Sequence, residues 1–368
     1  MKKLLIILLL IVSRSLFGQD TTRLSLLFTG DIMQHESQIT AAFNPDSNRF
    51  DYKPCFQYVK PILSAPDLTI GNLELTLAGP PYKGFPQFSA PDQLLDALKD
   101  AGFDVLVTAN NHCVDRGRKG LERTIDQLDQ YGIPHTGTFK DTLDWLNNYP
   151  LIVNSKGFSF SLLNYTYGTN GISVTKPNIV NRIDTARIRK DLKKAMEQKT
   201  DVVVVFLHWG EEYKNLPNKS QKQIADFCFK HGAKIVIGAH PHVLQPLEWR
   251  KETDQVIAYS LGNFVSGQRD RYKNGGAMIH IDLEKIVQRD SASSVKMTEV
   301  SYSLAGVYRA PDARRTYQLI PVQQLENDST LIEGNIAREM IRQFGVDSRA
   351  LYGKENKNIE EKRLKTKD

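Results

Sequence analysis

From residue 24 onward, short apolar runs alternate with amphipathic stretches. Residues 24–29, 68–71, 105–108, 158–163, 202–207, 235–237, 256–260 and 277–281 are runs of strand length, rich in Val, Ile, Leu and Phe. Bounded by turn-forming residues, they predict strands. Residues 92–101, 120–131, 185–198 and 220–230 carry helical spacing, and the first of these is bracketed by Pro91 and Gly102, a stop–start signature of a helix. Further strands are expected at 300–308 and 317–321, and a helix near 333–344. Strands alternating with helices predict a layered α/β domain. No Gly/Ser- or Pro-rich linker and no internal repeat divides the chain, so residues 19–285 are read as one domain. Residues 286–352 are read as a β/α extension packing on that body.

The N-terminus departs from this pattern. Lys2 and Lys3 precede an unbroken apolar run at 4–12, followed by Ser13, Arg14, Ser15 and the small residue Gly18. This is the order of an export signal, with cleavage expected after residue 18. The run is about half of the ~20 residues a spanning helix needs. The expected location is therefore outside the cytoplasm, periplasmic or extracytoplasmic. Cys55, Cys113 and Cys228 are odd in number and widely spaced, which indicates no disulfide framework. The formal net charge is +6, but Lys2, Lys3 and Arg14 lie in the leader. Much of the remainder sits in the Lys-rich stretch 353–368, expected to be a disordered charged tail. The body is near neutral, without the clustered basic face of a nucleic-acid binder.

Chemistry concentrates at the ends of the expected strands. These finish in Asp31; in Asn72 and Glu74; in Asn110, Asn111 and His112; in His208; in His240 and His242; and in Asn263. In open α/β sheets the ligand site lies beyond the carboxyl ends of the strands. Residues i and i+2 of an extended segment share a face, so His240 and His242 are expected to point the same way. Carboxylates, amides and imidazoles together suit Mn²⁺, Zn²⁺ or Fe rather than Ca²⁺, as one or two ions. Two such ions roughly 3.5–4 Å apart clamp a phosphoryl group and activate water. Asp31, Glu74, Asn111, His208, His240 and His242 are the candidate ligands, and His112 is left for proton transfer.

Six ordered blocks carry a resemblance: Gly30–Met33, Gly71–Glu74, Ala109–Gly117, His208–Tyr213, Gly238–Pro246 and Ser260–Phe264. Together they resemble the CapA family, the poly-γ-glutamate capsule-synthesis proteins, a branch of the calcineurin-like metallophosphoesterases. The resemblance implies a four-layer α/β/β/α sandwich. It also implies metal ligation by Asp31, Asn111, His208, His240 and His242, a bridging Glu74 (or Asn72), and His112 as proton donor. His208 and His240 would hold one ion and His242 the other. Met33 stands where the superfamily has a histidine ligand, with His35 two positions on. Asn72, Asn110, Asp115, Arg116, Glu212, Tyr213 and Asn263 are expected around the substrate or behind the ligands.

The function so implied is metal-dependent hydrolysis in cell-envelope or poly-γ-glutamate capsule biosynthesis. The partners would be an anionic envelope polymer, a peptide or phosphoester substrate, and capsule-synthesis membrane proteins. Two other readings stand beside it. One is a metal-independent epimerase or lyase acting on an acidic peptide through Asp31, His112, His208 and His242. The other is an accessory protein that binds polymer, using Arg116, Arg118 and Lys119 or Arg269, Arg271 and Lys273; both clusters are more simply solvated loops. His231 is expected to cap a helix, His280 to face solvent from a strand, and Cys113 to serve packing.

Overall fold

A computed structural model describes residues 20–287 and 293–363. The leader expected at 1–18 lies outside the described residues. Two mixed sheets stack face to face. Asp20–Ile32 is central to the nine-stranded first sheet, with Leu68–Leu73 parallel to it on one side and Gly275–Val287 antiparallel on the other. Val105–Val107 and His135–Thr136 extend the parallel side; Ser294–Arg309 and Tyr317–Pro321 extend the antiparallel side. The short strand Asn263–Val265 runs parallel to the end of Asp20–Ile32. The second sheet has six strands in the order Leu244–Arg250, Gln255–Leu261, Ile235–Ala239, Val202–His208, Phe158–Thr166 and Leu151–Ser155.

Alternation along the strands sorts their side chains into layers. Leu24, Leu26 and Phe28 meet Val202, Val204, Phe206, Ile235 and Ile237 in the core between the sheets. Leu27 and Leu106 face outward, onto Leu94, Leu95 and Leu98 of the helix Gln93–Ala101. Val203, Val205 and Leu207 face the other way, onto Ile188 and Leu192 of Thr185–Glu197 and Ala225 and Cys228 of Lys219–Lys230. The result is the four-layer α/β/β/α arrangement. All three cysteines are buried and unpaired, and no described helix is long and apolar enough to cross a membrane.

Besides the two-residue strands and Asn263–Val265, two longer strands escape sequence reasoning, Leu151–Ser155 and Leu244–Arg250. Both lie at edges of the second sheet, where the interior Pro246 costs no ladder bond and half-exposure blurs the apolar signal.

The expected disordered tail needs correction, because residues 353–363 are ordered. The helix Asn335–Glu355 runs through its start, and Glu360–Glu361 then pairs with Ser301 and Tyr302. Between these, Asn356 Oδ1 accepts from Leu247 N at 2.8 Å and Lys357 N donates to Leu247 O at 3.0 Å. Arg349 ties the segment down through Glu326 and Glu361. Backbone hydrogen bonds and ion pairs replace the apolar content that the sequence lacks. This clasp joins the edge of one sheet to a strand of the other. His280 also departs from expectation. It is buried, with Nε2 2.9 Å from Ser303 Oγ, and burial together with Lys362 of the clasp pushes its imidazole down to about 3.

Candidate metal centre

Asp31 reaches the space between the sheets because of a bulge. It shares parity with Leu27, which faces the outer helices, so unbroken alternation would bury its carboxylate there. The register with Leu68–Leu73 shifts between Phe28 and Asp31, and one extra residue turns every later side chain to the other face. Gly30 sits in the bulge, where a Cβ would lie 1.9 Å from Gly262 O. On the neighbouring strand no correction is needed. Leu68 and Ile70 face the inter-sheet core, and Asn72 and Glu74 follow at the same parity.

His240 and His242 arrive by a different route from the one expected. Ile235, Ile237 and Ala239 already face the inter-sheet core, so strand alternation would send both histidines to the outer side. The strand ends at Ala239, and both histidines adopt left-handed backbone, with φ of 97° and 58°. Non-glycine residues there carry strain of order 1–3 kcal/mol each. The turn, not a shared strand face, returns both rings to the site.

The candidate ligands meet in one buried cluster. Two sets of donor atoms, Asp31–Glu74–His208 and Glu74–His240–His242, each lie within 4.8 Å of one another. Glu74 belongs to both, as a bridging carboxylate must. Its Oε1 lies 3.5 Å from His208 Nε2 and 3.9 Å from His242 Nε2. His208 Nε2 is 2.6 Å from Asn111 Oδ1, and Asp31 Oδ2 is 3.2 Å from His242 Nδ1. The His208 and His240 ring centroids are 4.9 Å apart.

Around this cluster, Asn72 Nδ2 donates to Asp31 Oδ1 at 2.8 Å and lies 3.3 Å from His208 Nδ1. Asn110 Nδ2 donates to Leu73 O, and its Oδ1 accepts from His112 N. His112 Nδ1 donates to Asp115 Oδ2 at 2.7 Å, and the same oxygen accepts from Phe88 N. Nδ1 being committed, Nε2 is the nitrogen of His112 that can exchange a proton.

The electrostatics call for a cation. Neither oxygen of the fully buried Glu74 accepts a hydrogen bond, and His240 Nδ1 is likewise without a partner. Burial, then the Asp31 charge, pushes the Glu74 acid far above its usual range. Burial opposes ionisation of Asp31 too, but contact with His242 and the nearby imidazoles hold it at about 2. Burial, reinforced by neighbouring imidazoles, holds His208 at about 3 and His240 at about 2, neutral and ready to act as ligands. A buried carboxylate without donors, ringed by neutral imidazoles and an amide oxygen, fits a divalent ion.

Met33 is buried with Leu73 and Phe88 in the outer apolar cluster. His35 cannot stand in for a ligand at that position. Gly267 N donates to its Nδ1 at 3.1 Å, so the neutral ring carries its proton on Nε2, and the ring packs edge-on against Phe88. Tyr213 lies 6.1 Å from His242 and Lys273 sits over its ring, with Glu212 exposed beside it. Arg116 caps the helix Gly117–Gln130, half-buried. Of the two basic clusters, Arg118 pairs with Glu122, Arg271 with Asp347 and Lys273 with Asp270. His231 caps Lys219–Lys230, its ring meeting Phe227 O.

Sequence reasoning missed Tyr167, Asn170 and Asn164. The Tyr167 ring lies 4.5 Å from His240 and stacks over His208. Asn170 accepts from Asn111 Nδ2, and Asn164 Oδ1 accepts from Ala109 N at 2.6 Å across the two sheets. The available signal was the polar stretch 164–170, closing a strand that ends without histidine or acid.

Residues 25–268 match the family described as bacterial capsule synthesis protein PGA_cap. The capsule biosynthesis protein CapA of Bacillus anthracis is 31% identical over 294 residues, 75% of this chain and 67% of that protein. The PGA biosynthesis protein CapA of Bacillus subtilis (strain 168) is 32% identical over 279 residues, 71% of this chain and 68% of its own. Among solved structures, the calcineurin-like phosphoesterase YfkN from Bacillus subtilis aligns over 89% of this chain and 98% of its own, at 14% identity and a TM-score of 0.46. The NAD nucleotidase NadN from Haemophilus influenzae aligns over 90% of this chain and 61% of its own, at 13% identity and a TM-score of 0.45.

Proposed function

The chain belongs to the bacterial capsule synthesis protein PGA_cap family, and from that premise we propose that it is an exported, metal-dependent hydrolase of capsule or envelope-polymer synthesis. It would cleave a phosphoester or related bond on or near an anionic polymer. Export is supported by the basic and apolar order of residues 2–18. The observation that carries the hydrolase reading is Glu74: a fully buried carboxylate, neither oxygen hydrogen-bonded, common to two sets of ligand atoms. Such a group is costly unless a cation neutralises it.

Asp31, Glu74, Asn111, His208, His240 and His242 would hold one or two ions of Mn²⁺, Zn²⁺ or Fe. Divalent ions in such a site supply Lewis acidity and make water nucleophilic near neutral pH. The chain's own residues do the rest. Asn72 fixes the Asp31 carboxylate, Asn110 fixes the turn that presents Asn111 and His112, and Asp115 orients the His112 ring. His112 Nε2 then protonates the leaving oxygen. Tyr167 and Tyr213, both half-exposed beside the histidines, form walls for the substrate.

The test is metal analysis of the purified full chain, joined to hydrolysis of bis-p-nitrophenyl phosphate with added Mn²⁺. Retained metal, and turnover abolished by chelator and by Asp31→Ala, support the reading. A chain that binds no divalent ion, or turns over equally well without one, overturns it.

A further inference from the structure

Asn263 is the register partner of Asp31 on the parallel strand beside it, as Asn72 is on the opposite side. Phe264 and Val265 both pack in the outer apolar cluster across a register shift, so it is the pairing with Asp31, not alternation, that puts Asn263 on the face Asp31 occupies. The carboxamide is held by its nitrogen: Nδ2 donates to Lys273 O at 2.9 Å and to Gln268 Oε1 at 3.0 Å. With both amide hydrogens committed, the oxygen must point away from that loop. Asn263 is fully buried, and its Oδ1 has no partner. A buried, orphaned amide oxygen is costly unless something outside the protein's own donors satisfies it.

Resting on the metal-centre reading above, we propose that Asn263 Oδ1 is a direct ligand of the ion held by Asp31. That position would then carry three oxygen donors, from Asp31, Glu74 and Asn263, and the imidazole of His242. Grouped by their shortest contacts, with Asp31 beside His242 and His208 beside Asn111 and His240, the second position would carry two imidazoles and two oxygens, from Asn111 and the shared Glu74. Oxygen-rich surroundings suit Mn²⁺ and Mg²⁺, whereas imidazole suits Zn²⁺ and Fe. The two positions are therefore chemically unlike, and the Asp31 side is the harder one. Its oxygen ligand comes from the loop that also sets Gln268 against Tyr213, so filling the position orders one wall of the substrate entrance.

Calorimetric titration of the metal-free full chain with Mn²⁺, comparing wild type, Asn263→Ala and His240→Ala, tests this. Expected are two classes of site in the wild type. Asn263→Ala should weaken one of them at least tenfold and leave the other, and His240→Ala should weaken the opposite one. Because Asn263→Ala also frees the loop, wild-type crystals soaked in Mn²⁺ give an independent reading by anomalous scattering. There Asn263 Oδ1 should lie about 2.2 Å from an ion, a normal metal–oxygen distance. An ion beside Asp31 with Asn263 Oδ1 out of contact, or unchanged affinities in Asn263→Ala, overturns the assignment and leaves the metal centre standing. A wild type that binds no Mn²⁺ overturns the metal centre itself and this ligand with it.

Discussion

Asp31 and His242, far apart in the chain and carried by opposite sheets, meet at 3.2 Å with both side chains buried. Burial alone would lower the imidazole's proton affinity. The negative charge of the Glu74–Asp31 pair, held mainly on Asp31, together with the Asp31 contact, overrides it and raises the group to about 9, against 6.5 when unfolded. The folded state thus binds a proton that the unfolded chain releases above pH 6.5. The stabilisation is complete below that value and is lost as pH rises toward 9. In chelator, Tm should fall between pH 7 and 9, and His242→Gln should flatten that slope. With bound ions the slope should also flatten, because the cation replaces the proton as countercharge. An equally steep slope in His242→Gln would assign the effect elsewhere.

Glu74→Gln removes the carboxylate common to both donor sets. Bound Mn²⁺ should fall by more than one equivalent, since both positions lose a charged ligand. The metal-free Tm should hold or rise, because a buried carboxylate without donors is destabilising. Loss of a single equivalent with a lowered metal-free Tm would contradict the bridging role.

Asp115→Asn keeps the shape at His112 but weakens the grip on Nδ1. Metal content should be unchanged while kcat drops by about 10²–10⁴ for substrates with poor leaving groups. The loss should shrink for p-nitrophenolate, which leaves without protonation. An equal loss for both classes of leaving group would mean that His112 does not act as the acid.

Gly30→Ala tests the bulge. The added Cβ meets Gly262 O at 1.9 Å, so the strands must part, at a cost of about 1–3 kcal/mol or more. Chemical denaturation should show that loss together with weakened metal binding, because Asp31 leaves its place. A stable variant with intact metal affinity would argue that the bulge does not position the acid.

Much of this architecture was legible from sequence. The interior strands of both sheets and every long helix show in the apolar periodicity, because a strand buried on both faces reads as a continuous run. The strand-end residues marked the site for the same reason: polar groups following such runs have few places to go except the rim. What sequence did not show is how Asp31 and the two histidines turn inward. Simple alternation sends all three to the wrong layer. A one-residue bulge and two left-handed residues correct it, and neither has a periodic signature. The C-terminal clasp was hidden for the opposite reason. Its residues are charged, and they are held by Arg349 and by backbone bonds to strands roughly 60 to 110 residues earlier in the chain.

Truncation after Glu355 checks that clasp. Removing it takes away Glu361, the bonds of Asn356 and Lys357 to Leu247, and the pairing with Ser301 and Tyr302. Tm should fall by roughly 5 °C or more, with His280 newly open to protonation in mild acid. An unchanged Tm would mean that the segment rests on the surface without holding the sheets together.

Because Asp20–Ile32 takes Gly275–Val287 as its antiparallel neighbour, the strand that delivers the first acid stays unzipped on one flank until roughly 250 further residues have been made. Loops that long close slowly, and pairings of this kind delay folding. The cluster is therefore assembled late, after residues well beyond His242 have joined the sheet. Completion of that sheet, rather than synthesis of the acids and histidines themselves, then decides when the cluster can take a cation.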